Sequence, residues 1–145
     1  MKNNIEISKS VFESIKHIDE YGNEYWCARE LMIVLEYQKW ERFNNVINAA
    51  KISCEQSNSI IEDHFPEVGK MIKIAKGAER KILDYHLSRY ACYLIVQNAD
   101  PRKESVALGQ TYFAVQTRRM EITQEEYSRL SEDEKRLYTR INVKN

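Results

Sequence analysis

The stretch VGKMIKIAKGAERKILD, Val68 to Asp84, decides the fold class. Its apolar residues fall in two short runs, Met71, Ile72 and Ile74 and then Ile82 and Leu83, on either side of Lys76-Gly77-Ala78-Glu79. Short runs split by a glycine turn suit paired strands better than a helix, because glycine accepts the backbone a tight turn requires. A strand pair is expected here. The same stretch crowds Lys70, Lys73, Lys76, Arg80 and Lys81 onto the flanks of the turn. Like charges at this density gain little from one another, so they face either water or an anionic partner.

Downstream, Leu87 to Asn98 reads as a helix with Leu87, Tyr90, Ala91, Leu94 and Ile95 on its core stripe. Asp100-Pro101 is expected to start the next helix, Asp as N-cap and Pro at the first helical position. That helix should run through Val106, Gln110, Phe113, Ala114 and Thr117 to about Met120 and end near Arg118 and Arg119. A helical hairpin results, with Arg102 and Lys103 at its corner. In the tail, Thr123-Gln-Glu-Glu and the capping box Ser131-Glu-Asp-Glu predict two short helices, over about 124–129 and 132–141.

Upstream, Pro66 pushes Phe65 out of the helical region, and Ser59 to Phe65 is too short to assign. Lys39 to Gln56 is the most regular amphipathic segment, with Trp40, Phe43, Val46, Ile47, Ala50 and Cys54 on one face. A short helix is expected from Arg29 to about Leu35, and a first one from Ser8 with Val11, Phe12 and Ile15 inward. Between them a hairpin should pivot on Tyr21-Gly22-Asn23-Glu24. The fold class is therefore α+β, mainly helical with small antiparallel β-hairpins and a helical hairpin. One domain is expected over residues 1–122, with 123–145 as a short helical C-terminal extension.

The 145 residues suffice for one domain with its own core. No apolar run nears the roughly 18–20 residues of a membrane span, and the first residues lack the apolar core of a secretory signal. Three cysteines make no disulfide framework, so a cytoplasmic protein with free thiols is expected. The zero net charge hides a segregation. Residues 1–69 carry seven Lys/Arg against twelve Asp/Glu, whereas residues 70–120 carry ten against four. One basic face would suit phosphates or an acidic protein.

His17, Cys27, Cys54, His64, His86 and Cys92 are potential metal ligands, but no pair shows metal-binding spacing, and neither metal nor cofactor is expected. Glu62-Asp63-His64 and Asp84-Tyr85-His86 each put a carboxylate near an imidazole, with Ser88 close to the second. A hydrolase built on His64 or His86 is kept only as a rival, because no nucleophile elbow or phosphate-binding loop accompanies them. Nucleic-acid binding is the sharper expectation, with cations for phosphates. Tyr85, Tyr90, Tyr93 and Tyr112 lie nearby, although packing is the better reading for them. Arg89 is expected to pair with Asp84 or Asp100.

EYWCARELMIVLEYQKWERFNNVI (24–47), DHFPEV (63–68), LDYHLSRYACYLIVQNADPRK (83–103) and QTYFAVQTRR (110–119) together resemble the DNA-damage-inducible protein D (DinD) family. That family is related to the BRO amino-terminal domain of phage antirepressors and viral proteins. The resemblance covers about residues 20–140 and implies a BRO amino-terminal-like α+β domain in a bacterial or phage setting. It implies a non-enzymatic regulator of the DNA-damage (SOS) response that binds DNA, single-stranded DNA foremost, or the RecA filament on it, and inhibits RecA. The alternative is a phage-type antirepressor that binds a repressor protein. It carries over no catalytic residues. The expected contact set is Lys70, Lys73, Lys76, Arg80, Lys81, Arg102, Lys103, Arg118 and Arg119. Whether the chain forms a homodimer is left open. The family usually has glycine where this chain has Glu36, Ala75 and Ala99, and its members often continue well past this length, so the C-terminal extension is read as truncated relative to them.

Overall fold

The computed structural model describes residues 4–129. In chain order the elements are α1 (Asn4–Ser14), β1 (Lys16–Ile18), β2 (Glu24–Cys27), α2 (Ala28–Val34), α3 (Trp40–Gln56), α4 (Ile61–His64), β3 (Glu67–Lys73), β4 (Glu79–Leu87), α5 (Arg89–Asn98) and α6 (Glu104–Ser128). Both expected hairpins form, and they join into one antiparallel sheet of order β1-β2-β4-β3. The fold is α+β, as expected. Internal contacts divide the chain into Met1–Ala114 and Val115–Asn145.

The first hairpin closes on Asp19, whose Oδ1 accepts the backbone N–H groups of Tyr21 and Asn23, both at 2.9 Å. This local acceptor fixes the turn. β2 then alternates: Trp26 turns inward and is fully buried, while Tyr25 and Cys27 share the opposite face. Trp26 Nε1 donates to the Phe12 carbonyl at 3.0 Å, so its one polar group is satisfied inside the core. Phe12, Trp26, Tyr112 and Phe113 pack as an aromatic cluster, with ring centroids 4.8 Å apart for Tyr112 and Phe113. Gly109 brings α6 close to this cluster; a Cβ there would stand 2.9 Å from Val96 Cγ1 and 3.1 Å from Phe12 Cζ.

The expected apolar face of α3 is largely the observed one: Phe43, Ile47, Ala50 and Cys54 are buried, and α3 packs against α5. Lys51 is half-buried, donating to Tyr85 Oη at 2.8 Å. Ser88 caps α5, its Oγ accepting the Ala91 N–H at 3.0 Å. The chain leaves α5 through Ala99 in extended backbone, φ −85°.

Three expectations of helix placement are corrected. α1 begins at Asn4, before Ser8. Asp100-Pro101 does not open α6. The Asp100 carbonyl accepts from Lys103 at 3.2 Å in a turn, and the helical ladder begins one turn later, where the Lys103 carbonyl accepts from Ala107 at 3.1 Å, so the helix starts at Glu104. Nor does α6 end near Met120 with a separate helix after it. No glycine or proline interrupts residues 110–128, and the helix runs unbroken to Ser128. The expected helix over 132–141 lies outside the described residues. Among the described residues no helix is long and apolar enough to cross a membrane.

Candidate nucleic-acid interface and the cleft at its root

β3 and β4 form an arm whose register sorts the expected cations. Lys70 stands opposite Ile82 and Ile72 opposite Arg80, which puts Lys70 and Arg80 on one face with Val68 and Asp84. Met71 opposes Lys81 and Lys73 opposes Glu79, which puts Lys73 and Lys81 on the other face. Lys76 occupies the tip in a left-handed backbone, φ 64°, followed by Gly77 at φ 75°. All five cations are exposed, and among the described residues none is held in an ion pair. β3 is an edge strand, and its lysines also discourage pairing with another chain. The arm therefore carries a two-sided cationic surface rather than one basic stripe.

The remaining members of the expected contact set belong to other elements. Arg102 is engaged by Asp100, at 3.0 Å to Oδ1 and 3.1 Å to Oδ2, and these hydrogen bonds hold the Asp100 carboxyl below its ordinary range. Lys103 donates to the Glu36 carbonyl at 3.2 Å and sits 5.1 Å above the Tyr37 ring. Both thus have intramolecular partners at the α5–α6 corner. There Lys103 and Asp100 line a cavity of about 390 Å³ with Glu36, Tyr37, Lys39 and Arg42. Arg118 and Arg119 belong to α6, in the part beyond Ala114.

The tyrosines near the cations are packing residues. Tyr85 and Tyr112 are buried, and Tyr90 is half-buried with its hydroxyl 2.8 Å from Ser57 Oγ. Arg89 is paired, but with Glu24 of β2 rather than Asp84 or Asp100. The reason is topological: β2 lies beside β4 and contacts α5. Asp84 is taken up otherwise. Only 3% exposed, it accepts the Arg29 N–H at 2.9 Å and the Tyr85 N–H at 2.8 Å through Oδ1. It thereby caps α2 from a residue distant in sequence, since Cys27 at the N-cap position offers no acceptor.

The rival catalytic residues separate in the same way. Ser88 lies beside His64, not His86: His64 Nδ1 is 2.7 Å from Ser88 Oγ, the atom that caps α5. His64 packs edge-on to Tyr90, centroids 5.1 Å apart. His86 instead joins a row of rings across the sheet, 4.2 Å from Tyr25, which is 5.2 Å from His17.

That row borders a constellation that sequence spacing did not indicate. His17, Cys27, Glu30, Val68, Gly69, Lys70, Asp84 and His86 line a cleft of about 230 Å³ at the root of the arm. His17 Nε2 is 2.5 Å from Glu30 Oε1. Burial, with help from the Asp84 and Glu30 carboxylates, pushes the Cys27 thiol up to about 12. The one signal in the sequence is Cys27 three residues before Glu30; His17 reaches them only through the β1–β2 register, which sets it opposite Tyr25.

Residues 14–114 match the model of the BRO family, N-terminal domain. The chain is also 50% identical over 134 residues to the DNA damage-inducible protein D of Escherichia coli strain K12, covering 92% of this chain and 49% of that protein. It therefore spans about half the length of this curated relative. No solved structure matches.

Proposed function

The chain belongs to the family of BRO N-terminal domains, and from that premise we propose that it is a non-enzymatic regulator of the DNA-damage response. It acts by contacting DNA, single-stranded DNA foremost, and the RecA filament formed on it. The observation that carries this reading is the β3–β4 arm, with five exposed cations unpaired among the described residues. The likeness to a DNA damage-inducible protein supports the setting.

Lys70, Lys73, Lys76, Arg80 and Lys81 displace counterions from the phosphate backbone. If all five are engaged on a single strand, log affinity falls against log salt with a slope of about −3.5. Arg102, Lys103, Arg118 and Arg119 form a secondary set; recruiting Arg102 requires it to give up Asp100. A RecA filament presents both protein and DNA, and inhibition follows if the arm competes for the strand that RecA must use.

The test is binding to labelled single-stranded DNA, duplex DNA and RecA filaments across a salt series. Lys76→Ala combined with Arg80→Ala should flatten the single-strand slope by about 1.4. Salt-independent binding, or a slope unchanged by the double substitution, overturns the reading. Capture of a repressor protein by wild type and double variant alike, with no nucleic acid present, would support the antirepressor alternative.

A further inference from the structure

We propose that His17 Nε2, Cys27 Sγ and a Glu30 carboxylate oxygen form a binding site for a divalent transition-metal ion of the zinc class. The three donor atoms lie within 4.8 Å of one another. A tetrahedral ion holding its ligands at about 2.0–2.3 Å spaces them roughly 3.3–3.8 Å apart, so small side-chain adjustments bring all three into bonding range. The donors come from separate elements whose positions the backbone fixes. His17 is on β1, Cys27 ends β2 on the same face of the sheet, and Glu30 lies in the first turn of α2.

The donor set selects the metal. A thiolate and an imidazole with one carboxylate favour zinc, cobalt or nickel over magnesium or calcium, which prefer all-oxygen sites. The cleft of about 230 Å³ leaves a fourth position, and His86, opposite Cys27 in the strand register, lines it. Either that imidazole or a water completes the coordination. Asp84 is not among the clustered donors, and its Oδ1 holds two backbone N–H groups. The stack of His17 on Tyr25, 5.2 Å between centroids, orients the ligating ring as outer partners do in metal sites. His17 and Glu30 side chains are 41% and 39% exposed, so an ion can enter without unfolding the protein.

A bound ion would tie β1 and α2 to β2 where Val68, Gly69 and Lys70 leave the body. It would therefore brace the base of the arm and stabilise the fold by mass action.

The test is titration of chelator-treated protein with cobalt(II), followed by zinc competition. A thiolate-to-cobalt charge-transfer band with a single ion per chain, displaced by zinc, is expected, together with a rise in melting temperature. Cys27→Ser should abolish the band. His17→Gln and Glu30→Gln, both at half-exposed side chains, should each weaken cobalt binding by at least about 10–100-fold while retaining the wild-type circular dichroism. These two variants decide the matter if Cys27→Ser fails to fold. Absence of the band in folded wild-type protein, an unchanged band in Cys27→Ser, or wild-type affinity in both folded His17 and Glu30 variants overturns the site.

Discussion

The body of the domain and the β3–β4 arm follow opposite rules, and the change occurs within a single strand. β4 starts at Glu79, Arg80 and Lys81, all exposed, passes through half-buried Ile82 and Leu83, and ends in buried Tyr85 and Leu87. At its buried end, sequence is dictated by packing. Trp26, Phe12 and Phe113 fill fixed volumes, and the buried polar atoms Trp26 Nε1 and Asp84 Oδ1 are both hydrogen-bonded. At its exposed end only the backbone ladder holds the structure, and the side chains are free to answer to something other than folding. Stability should therefore concentrate in the body, and binding in the arm.

Substitutions test that contrast. The largest effect is expected from Trp26→Ala, which removes a fully buried indole and its hydrogen bond to Phe12; urea denaturation should register a loss of about 3–5 kcal/mol. A loss under about 1 kcal/mol would mean the aromatic cluster does not anchor the body. Asp84→Ala leaves two backbone N–H groups without their acceptor and frees the start of α2, at a cost of about 2–4 kcal/mol. Asp84→Asn, which keeps an acceptor oxygen, should lose measurably less in the same assay.

Next in size is a gain. Glu36 is held at φ 64°, a left-handed conformation costly for any residue with a Cβ. Glu36→Gly should raise stability by about 0.5–1 kcal/mol in thermal melts, net of the glycine's greater freedom when unfolded. Ala99 provides the control: its φ of −85° is ordinary, so Ala99→Gly should lower stability by a similar amount. The smallest stability effect belongs to the arm. Lys76→Ala with Arg80→Ala should change the unfolding free energy measured in urea by no more than about 0.5 kcal/mol while altering the salt dependence of DNA binding. If that double variant is strongly destabilised instead, the arm is part of the folding core and the contrast fails.

Much of the architecture was legible because it rests on local signals. Both hairpins follow from short alternating runs around a glycine, and α3 from its apolar spacing. Asp100-Pro101 was misleading because a capping signature and a turn signature share residue types and even the same carboxylate bond to the second N–H; the backbone shows the difference, closing a turn from Asp100 to Lys103 before the helical ladder begins at the Lys103 carbonyl. The family's glycine preferences at positions 36 and 99 look equivalent in sequence, yet only Glu36 occupies the left-handed region. The cationic set was legible as a composition and not as a surface. Strand alternation divides Lys70 and Arg80 from Lys73 and Lys81, and the fold gives Arg102 and Lys103 partners of their own.

By itself the sequence determined most of the helix and strand segments, which faces are apolar, and that positive charge gathers around residues 70–81, since each depends on neighbours within a turn or two. Tertiary structure alone decided that Asp84 caps α2, that Arg89 pairs with Glu24, and that His17 meets Cys27 and Glu30. Those contacts join residues up to 65 positions apart, as for Arg89 and Glu24, and strand register and helix docking bring them together. No local spacing encodes such a meeting.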